Sequence, residues 1–299
     1  MTRRVLLTGA SGFLGRHAIP ALLARGFEVH AAARRPPAGP GTTPHALDLL
    51  DPAATRALVQ RVRPSHLLHL AWEVTPGRYW TAPENLDWVA ASLQLYRAFV
   101  AAGGVRATVA GTCAEYDWGA GLLDEDAPLR PATLYGTAKH ALHRLLTAAA
   151  AGDGVGLAWG RIFFLYGPHE APGRLVPSVV GPLLRGAPAL VGDGLARRDF
   201  MHVADAAAAL VTVLDSAHAG AVNIVSGHCT GIREVVMAIA DAIGRPELVR
   251  LGARAAPPGE PPVLAASGRV LAGLGFRPCF TLESGLADTI GWWRRQEPG

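Results

Sequence analysis

The 299-residue chain is half hydrophobic and only 17% charged, so it can bury a sizeable core, and its length predicts a large domain with a smaller one rather than disorder. Its formal charge of +4 comes from scattered arginines with no basic run interleaved with aromatics, which argues against a nucleic-acid partner and suits an anionic small molecule. Three distant cysteines (Cys113, Cys229, Cys279) suit neither a disulfide framework nor a zinc site, and with no signal-peptide pattern or membrane-length apolar run, a soluble cytoplasmic protein without metal or membrane partner is expected.

Taken in chain order, Arg4 to Leu7 is a β-branched and leucine-rich run that predicts a buried strand. It leads into Thr8-Gly9-Ala10-Ser11-Gly12-Phe13-Leu14-Gly15 and a helical stretch to Arg25. Glycines at 9, 12 and 15 between a strand and a helix permit a tight turn, close approach to a pyrophosphate and close helix packing. Dinucleotide binding is expected here, with Ser11, Phe13 and Leu14 counted beside the glycines as contacts.

A second strand, Phe27 to Ala32, ends at Arg34-Arg35, and none of residues 29 to 40 is acidic. A carboxylate near this point binds the ribose 2′-hydroxyl of NAD, whereas arginine accommodates a 2′-phosphate. NADPH is therefore expected, with Arg34 and Arg35 at the phosphate and NAD as the alternative. After the Pro/Gly-rich loop 36–44, residues 45–49 read as a third strand that places Asp48 and Leu49 near the adenine. Helix 52–62 and strand 66–71 follow, the strand ending in Leu70 and Ala71 beside the cofactor, with His66 and His69 read as structural. The loop from Trp72 to Trp80 lies at the C-terminal end of that strand, where open α/β sheets bind ligands. Trp72, Glu73, Arg78, Tyr79 and Trp80 are its pocket candidates.

Helix 84–102 and strand 105–110 lead to Thr112, a strand-end hydroxyl suited to hydrogen-bonding a substrate carbonyl. Tyr135 and Lys139, four apart on helix 133–151, share one helical face. A nearby cation lowers a phenol's pKa from its usual value of about 10, which recruits tyrosine for proton transfer. Of the 28 basic residues 27 are arginine, and the single lysine is Lys139. Beyond residue 168 come helix 174–186, loop 192–194, helix 203–216, strand 221–225, helix 231–243, the Pro-rich loop 255–262 and a terminal helix 283–296 with Trp292-Trp293. The expected division is 1–167 and 168–299, with strand 221–225 able to rejoin the main sheet.

Together these motifs resemble the extended short-chain dehydrogenase/reductases, the nucleotide-sugar epimerase/dehydratase/reductase superfamily, over essentially the whole chain. The resemblance rests on the loop at 8–15, Thr112 four residues before Tyr116, Tyr135-x-x-x-Lys139, and Gly160-Arg161 through Tyr166-Gly167-Pro168. It continues in Arg174-Leu-Val-Pro177 and in Arg197-Arg198-Asp199-Phe200-Met-His202-Val203-Ala-Asp205. It implies an α/β fold, a Rossmann-type doubly wound parallel sheet with a smaller C-terminal substrate-binding lobe. It implies a catalytic set of Thr112, Tyr135 and Lys139, in which Tyr135 moves the proton and Lys139 also holds the nicotinamide ribose. It further implies a nucleoside-diphosphate sugar substrate, with Arg198 on the diphosphate, Leu175 to Pro177 flanking the base and Asn85 supporting the active-site helix. Family members pair through helices corresponding to 84–102 and 133–151, so a homodimer is expected.

Departures from the family pattern narrow the chemistry. Dehydratases carry Asp-Glu directly after the hydroxyl residue, but here those positions are Cys113 and Ala114, which disfavours 4,6-dehydration. Members that epimerise at C3 and C5 use a cysteine and a histidine; here the cysteine is displaced by one position and Arg174 takes the place of the histidine. Phe164 replaces an asparagine that contacts the sugar in many relatives, which points to a deoxysugar. Epimerases generally retain NAD and carry an acid after the second strand, so Arg34-Arg35 points to an exchanging NADPH. The expected activity is an NADPH-dependent 4-ketoreductase of a nucleoside-diphosphate 4-keto-6-deoxysugar. The alternatives are an NAD-dependent nucleotide-sugar 4-epimerase and a non-catalytic NADP(H)-binding regulator.

Overall fold

The computed structural model describes residues 3–255 and 261–296; most of the Pro-rich loop 255–262 lies outside them. The first half alternates strand and helix as β1 (Arg4–Thr8), α1 (Phe13–Ala24), β2 (Glu28–Ala33), β3 (Thr42–Ala46), α2 (Pro52–Val62), β4 (His66–His69), α3 (Glu84–Ala101), β5 (Arg106–Thr112), α4 (Leu134–Asp153) and β6 (Gly156–Ile162). The second half runs β7 (Phe164–Tyr166), α5 (Leu175–Leu184), β8 (Ala189–Leu190), β9 (Arg197–His202), α6 (Val203–Leu214), β10 (Gly220–Ile224), β11 (Cys229–Gly231), α7 (Ile232–Ile243), β12 (Val249–Arg250), β13 (Val263–Leu264), α8 (Arg269–Gly273) and α9 (Leu282–Gln296). Local chemistry sets the helix ends. Asp51 caps α2 by accepting from the N–H groups of Ala53 and Ala54, and Thr133 caps α4 by accepting from Gly136 N–H. Gly154 closes α4 in the left-handed conformation at φ 68°.

Seven strands form one parallel sheet in the order β10-β6-β5-β4-β1-β2-β3. Successive strands are added outward on one side from β1 to β3 and on the other from β4 to β6, so the crevice over the C-terminal ends of β1 and β4 is the switch point where such sheets bind ligands. Alternation along β1 splits its side chains between two cores. Val5 and Leu7 join Leu22, Leu210 and Val222 on the face covered by α1 and α6, while Leu6 joins Leu95, Phe99, Leu142 and Trp159 under α2, α3 and α4.

The third strand spans 42–46 rather than 45–49, and it contains Pro44. A proline and nearby glycines make this stretch read as loop, but β3 is the last strand of the sheet and pairs only with β2. The missing N–H of Pro44 is therefore tolerated there. Asp48 and Leu49 consequently fall in the turn before α2 rather than on a strand.

The smaller lobe is built around β9, which pairs with β7, β11 and β13. Helices α5, α7 and α9 pack there through Val176, Val179, Leu183, Val235, Ile239 and Ile290. The chain does not stay in that lobe after residue 168. Helix α6 returns to the α1 face of the large sheet, and β10 extends that sheet by pairing in parallel with β6. Among the described residues no helix is long and apolar enough to cross a membrane.

Candidate active site

At the end of β1 the chain turns through Gly9, whose φ is 70°. A Cβ at Gly9 would lie 2.8 Å from the Ala71 nitrogen, and one at Gly15 would collide with the Gly9 carbonyl and lie 2.8 Å from Ala10 Cα. Both positions need glycine for that reason. Helix α1 begins after Gly12 with no side-chain cap and no acidic residue in its first turn. Its N–H groups and positive dipole end are left for an anion. Beside this turn Ser11, Arg34 and Arg35 line a cleft of about 480 Å³, and Arg34 is within electrostatic reach of Glu73. A glycine cradle, an uncapped helix start and two arginines fit a phosphate-bearing dinucleotide. Asp48 is exposed and accepts from Leu50 N–H at 3.0 Å, and Leu49 packs into the core under α2.

Thr112 ends β5 at a turn held by a capping box. Its hydroxyl accepts from Ala114 N–H at 3.2 Å, and its own N–H donates to Glu115 Oε1 at 2.8 Å. The Thr112 side chain also faces the Tyr135 phenol and favours its ionised form. Tyr135 opens α4, where its N–H donates to the Trp80 carbonyl at 3.1 Å. Burial pushes the phenol's pKa above its usual value, with Thr112 acting against it. The expectation of a lowered tyrosine pKa is thus reversed, because taking a phenolate out of water outweighs the help of Thr112, and Tyr79, Cys113 and Glu115 push the same way as burial. One turn on, Lys139 Nζ donates to the Ala110 carbonyl at 2.9 Å and lies 3.7 Å from the centre of the Trp72 ring. Burial pulls its pKa down to about 7, with Glu115 opposing. His69 is structural, as its position at a strand end suggested. Its Nδ1 meets Thr8 Oγ1 at 2.7 Å and its Nε2 meets Ser92 Oγ at 2.9 Å.

Aromatic rings wall the phenol. Trp72, Tyr79 and Trp80 stand edge-on to Tyr135 with centroids at 6.4, 4.9 and 5.8 Å. Asn85 ties this wall together by accepting from Trp72 Nε1–H at 2.9 Å and donating to the carbonyls of Tyr79 and Ala82, each at 2.8 Å. Arg174, at the start of α5 before Leu175, has its guanidinium 5.3 Å from the centre of the Tyr79 ring. Arg198 is 1% exposed, donates to the Arg197 carbonyl at 2.8 Å and lies 5.4 Å from the Phe164 ring. The neighbouring Asp199 accepts from the N–H groups of Ser226 and Gly227, each at 2.8 Å. Arg198 is also within electrostatic reach of Cys113, whose thiol burial pushes up to about 12 and so keeps unreactive.

A glycine cradle thus lies at the sheet's switch point, with a hydroxyl, a phenol and an ammonium gathered at the end of β5. A sequence model of the NAD dependent epimerase/dehydratase family matches residues 5–225. The chain belongs to that family. It is 27% identical to a dTDP-glucose 4,6-dehydratase of Xanthomonas campestris pv. campestris, over 96% of this chain and 92% of that one. It is 26% identical to a GDP-6-deoxy-D-mannose reductase of Pseudomonas aeruginosa, over 98% of each chain. The solved structure of MoeE5 in complex with UDP-glucuronic acid and NAD superimposes with a TM-score of 0.86 and 32% identity, covering 98% of this chain and all of that one (100%). As a member of this family the chain is an NAD(P)-dependent oxidoreductase-type enzyme, and the cradle at 9–15 is where such a cofactor fits.

Three site residues escaped the sequence reading. Glu115, fully buried, accepts from Thr112 N–H and from Trp159 Nε1 at 2.9 Å, and so anchors the turn that aims Thr112. Its signal was the Thr-x-x-Glu spacing of a capping box. Trp118 stands edge-on to Trp80 and completes the aromatic wall from the far side, a contact no local pattern encodes. Glu170 is buried against Arg174, and burial raises its carboxyl to about 8. Among the described residues, Glu115, His140 and His143 bring possible metal-ligating atoms within 4.8 Å of one another. Arg161 Nε lies 3.4 Å from Glu115 Oε2, a fixed positive charge that opposes a further cation there.

Proposed function

We propose that this family member is an NADPH-dependent 4-ketoreductase acting on a nucleoside-diphosphate 4-keto-6-deoxysugar. The observation that carries the reading is the cleft of Ser11, Arg34 and Arg35 beside the glycine cradle. Two guanidiniums stand where an acid would hold a 2′-hydroxyl, and this donor set suits a 2′-phosphate. When bound, the cofactor supplies a hydride to the carbonyl carbon. Tyr135 gives its phenolic proton to the carbonyl oxygen and is reprotonated from solvent. The Thr112 hydroxyl bridges phenol and substrate oxygen, and Lys139 holds the nicotinamide ribose. Arg198 takes the diphosphate, with Arg174 and Leu175 beside it, and Phe164 and the aromatic wall face a sugar poor in hydroxyls. The Pseudomonas aeruginosa reductase, similar over the full length, supports this assignment.

A second reading is an NAD-dependent 4-epimerase, which the NAD in the MoeE5 complex favours. One experiment separates the two. Cofactor released from purified protein is identified by mass spectrometry, and the emptied protein is titrated with NADPH and NADH before mixing with dTDP- and GDP-4-keto-6-deoxyhexoses. The ketoreductase reading expects NADPH to bind the more tightly, Arg34→Ala to weaken it by roughly tenfold or more while sparing NADH, and stoichiometric NADPH oxidation. Tightly retained NAD with no net cofactor consumption would overturn it in favour of the epimerase.

A further inference from the structure

Trp72, a candidate for the substrate pocket, also turns a ring face towards Lys139. Lys139 is 3% exposed, and an ammonium so deeply buried needs compensation for its lost hydration. Two contacts supply it: the Ala110 carbonyl at 2.9 Å and the centre of the Trp72 ring at 3.7 Å. The indole is not free to turn away. Its Nε1–H is held by Asn85 Oδ1 at 2.9 Å, the Asn85 amide is held in turn by two backbone carbonyls, and Trp88 packs against the ring at a centroid distance of 6.1 Å. We propose that Trp72 is a positioning residue whose clamped π face holds the Lys139 ammonium charged and in place one turn from Tyr135.

The other ionisable groups around Lys139 have different roles. Glu115, on the turn after β5, favours the ammonium. His69, on β4, is neutral, its pKa lowered to about 3 by burial and by Lys139. Tyr135, on the same helix, is an uncharged phenol whose pKa burial raises. Desolvated cation–π contacts are among the stronger of their kind, so the Trp72 face acts with Glu115 to keep the proton on Nζ against the pull of burial.

The inference rests on Lys139 as a site residue, but its test needs no substrate. Because Lys139 is the only lysine in the chain, the full-length protein labelled with ¹³Cε-lysine gives one lysine signal whose position reports that proton. The signal is followed without added nucleotide across roughly pH 5 to 11. Trp72→Leu is expected to lower the Lys139 midpoint by at least about one pH unit, roughly tenfold in proton affinity, and Trp72→Phe to recover part of the shift. An unchanged midpoint in folded Trp72→Leu overturns the proposal. If that variant does not fold, replacing the tryptophans by fluorotryptophans keeps their shape while draining the π face. The midpoint should then fall stepwise with fluorination, and a midpoint indifferent to fluorination overturns the proposal. Absence of ketoreductase activity would leave both results standing.

Discussion

Tyr135 and Lys139 pull in opposite directions under the same burial. A neutral phenol is favoured in a dry site and a cationic ammonium is disfavoured, so the first pKa rises and the second falls to about 7. Tyr135→Phe removes the donor and keeps the aromatic packing against Tyr79 and Trp80. Turnover should fall by roughly 10²- to 10⁴-fold with the melting temperature little changed. Retention of near wild-type turnover would show that another group delivers the proton.

At the level of elements, the cofactor cradle is one strand end, one turn and one helix start. Its geometry depends on the absence of side chains where α1 crosses the Gly9 carbonyl. Gly15→Ala places a methyl group into backbone that cannot withdraw, so α1 must shift away from β1. We expect a loss of about 1 to 3 kcal/mol in stability, read by urea denaturation, with NADPH binding weakened well beyond that of Arg34→Ala. A variant that folds and binds as tightly as wild type would show that the cradle tolerates a wider turn. The turn after β5 works by a similar economy, since Glu115 satisfies the Thr112 N–H and so fixes the direction of the Thr112 hydroxyl.

Two expectations belong to the whole molecule. Helices α3 and α4 carry Leu86 and Leu145 at 61% and 51% exposure, apolar groups in keeping with a homodimer built on those helices. Sedimentation at micromolar concentration should show a dimer that Leu145→Glu dissociates, and a wild-type monomer would count against it. The second concerns acid. His69 is buried neutral with a folded pKa of about 3 against an ordinary 6.5, and His143 is lowered to about 4 by burial and Arg161. Between those values and 6.5 the unfolded chain binds the extra protons, so stability is full above pH 6.5 and is lost as pH falls towards 3. His69→Gln should flatten the slope of stability against pH by about one proton over that interval. An unaltered slope would mean that His69 charges without unfolding the protein.

Much of this was legible in the residues themselves, and for local reasons. The glycine spacing at 9, 12 and 15, the arginines after β2, and the four-residue step from Tyr135 to Lys139 are short-range patterns, each enforced by the geometry of one turn or one helix. Period and composition likewise gave most helices, because a face that must be buried repeats along the chain. Edge position, by contrast, is a property of the whole sheet, so Pro44 looked like a loop residue until β3 was seen to need no partner on its outer side. The return of β10 to the large sheet, the approach of Trp118, and the burial of Arg198 are likewise long-range outcomes. The sign of the Tyr135 shift was decided by tertiary structure for the same reason. Sequence names the cation four residues away, but only the packed molecule removes the water, and that desolvation is the largest influence on the phenol.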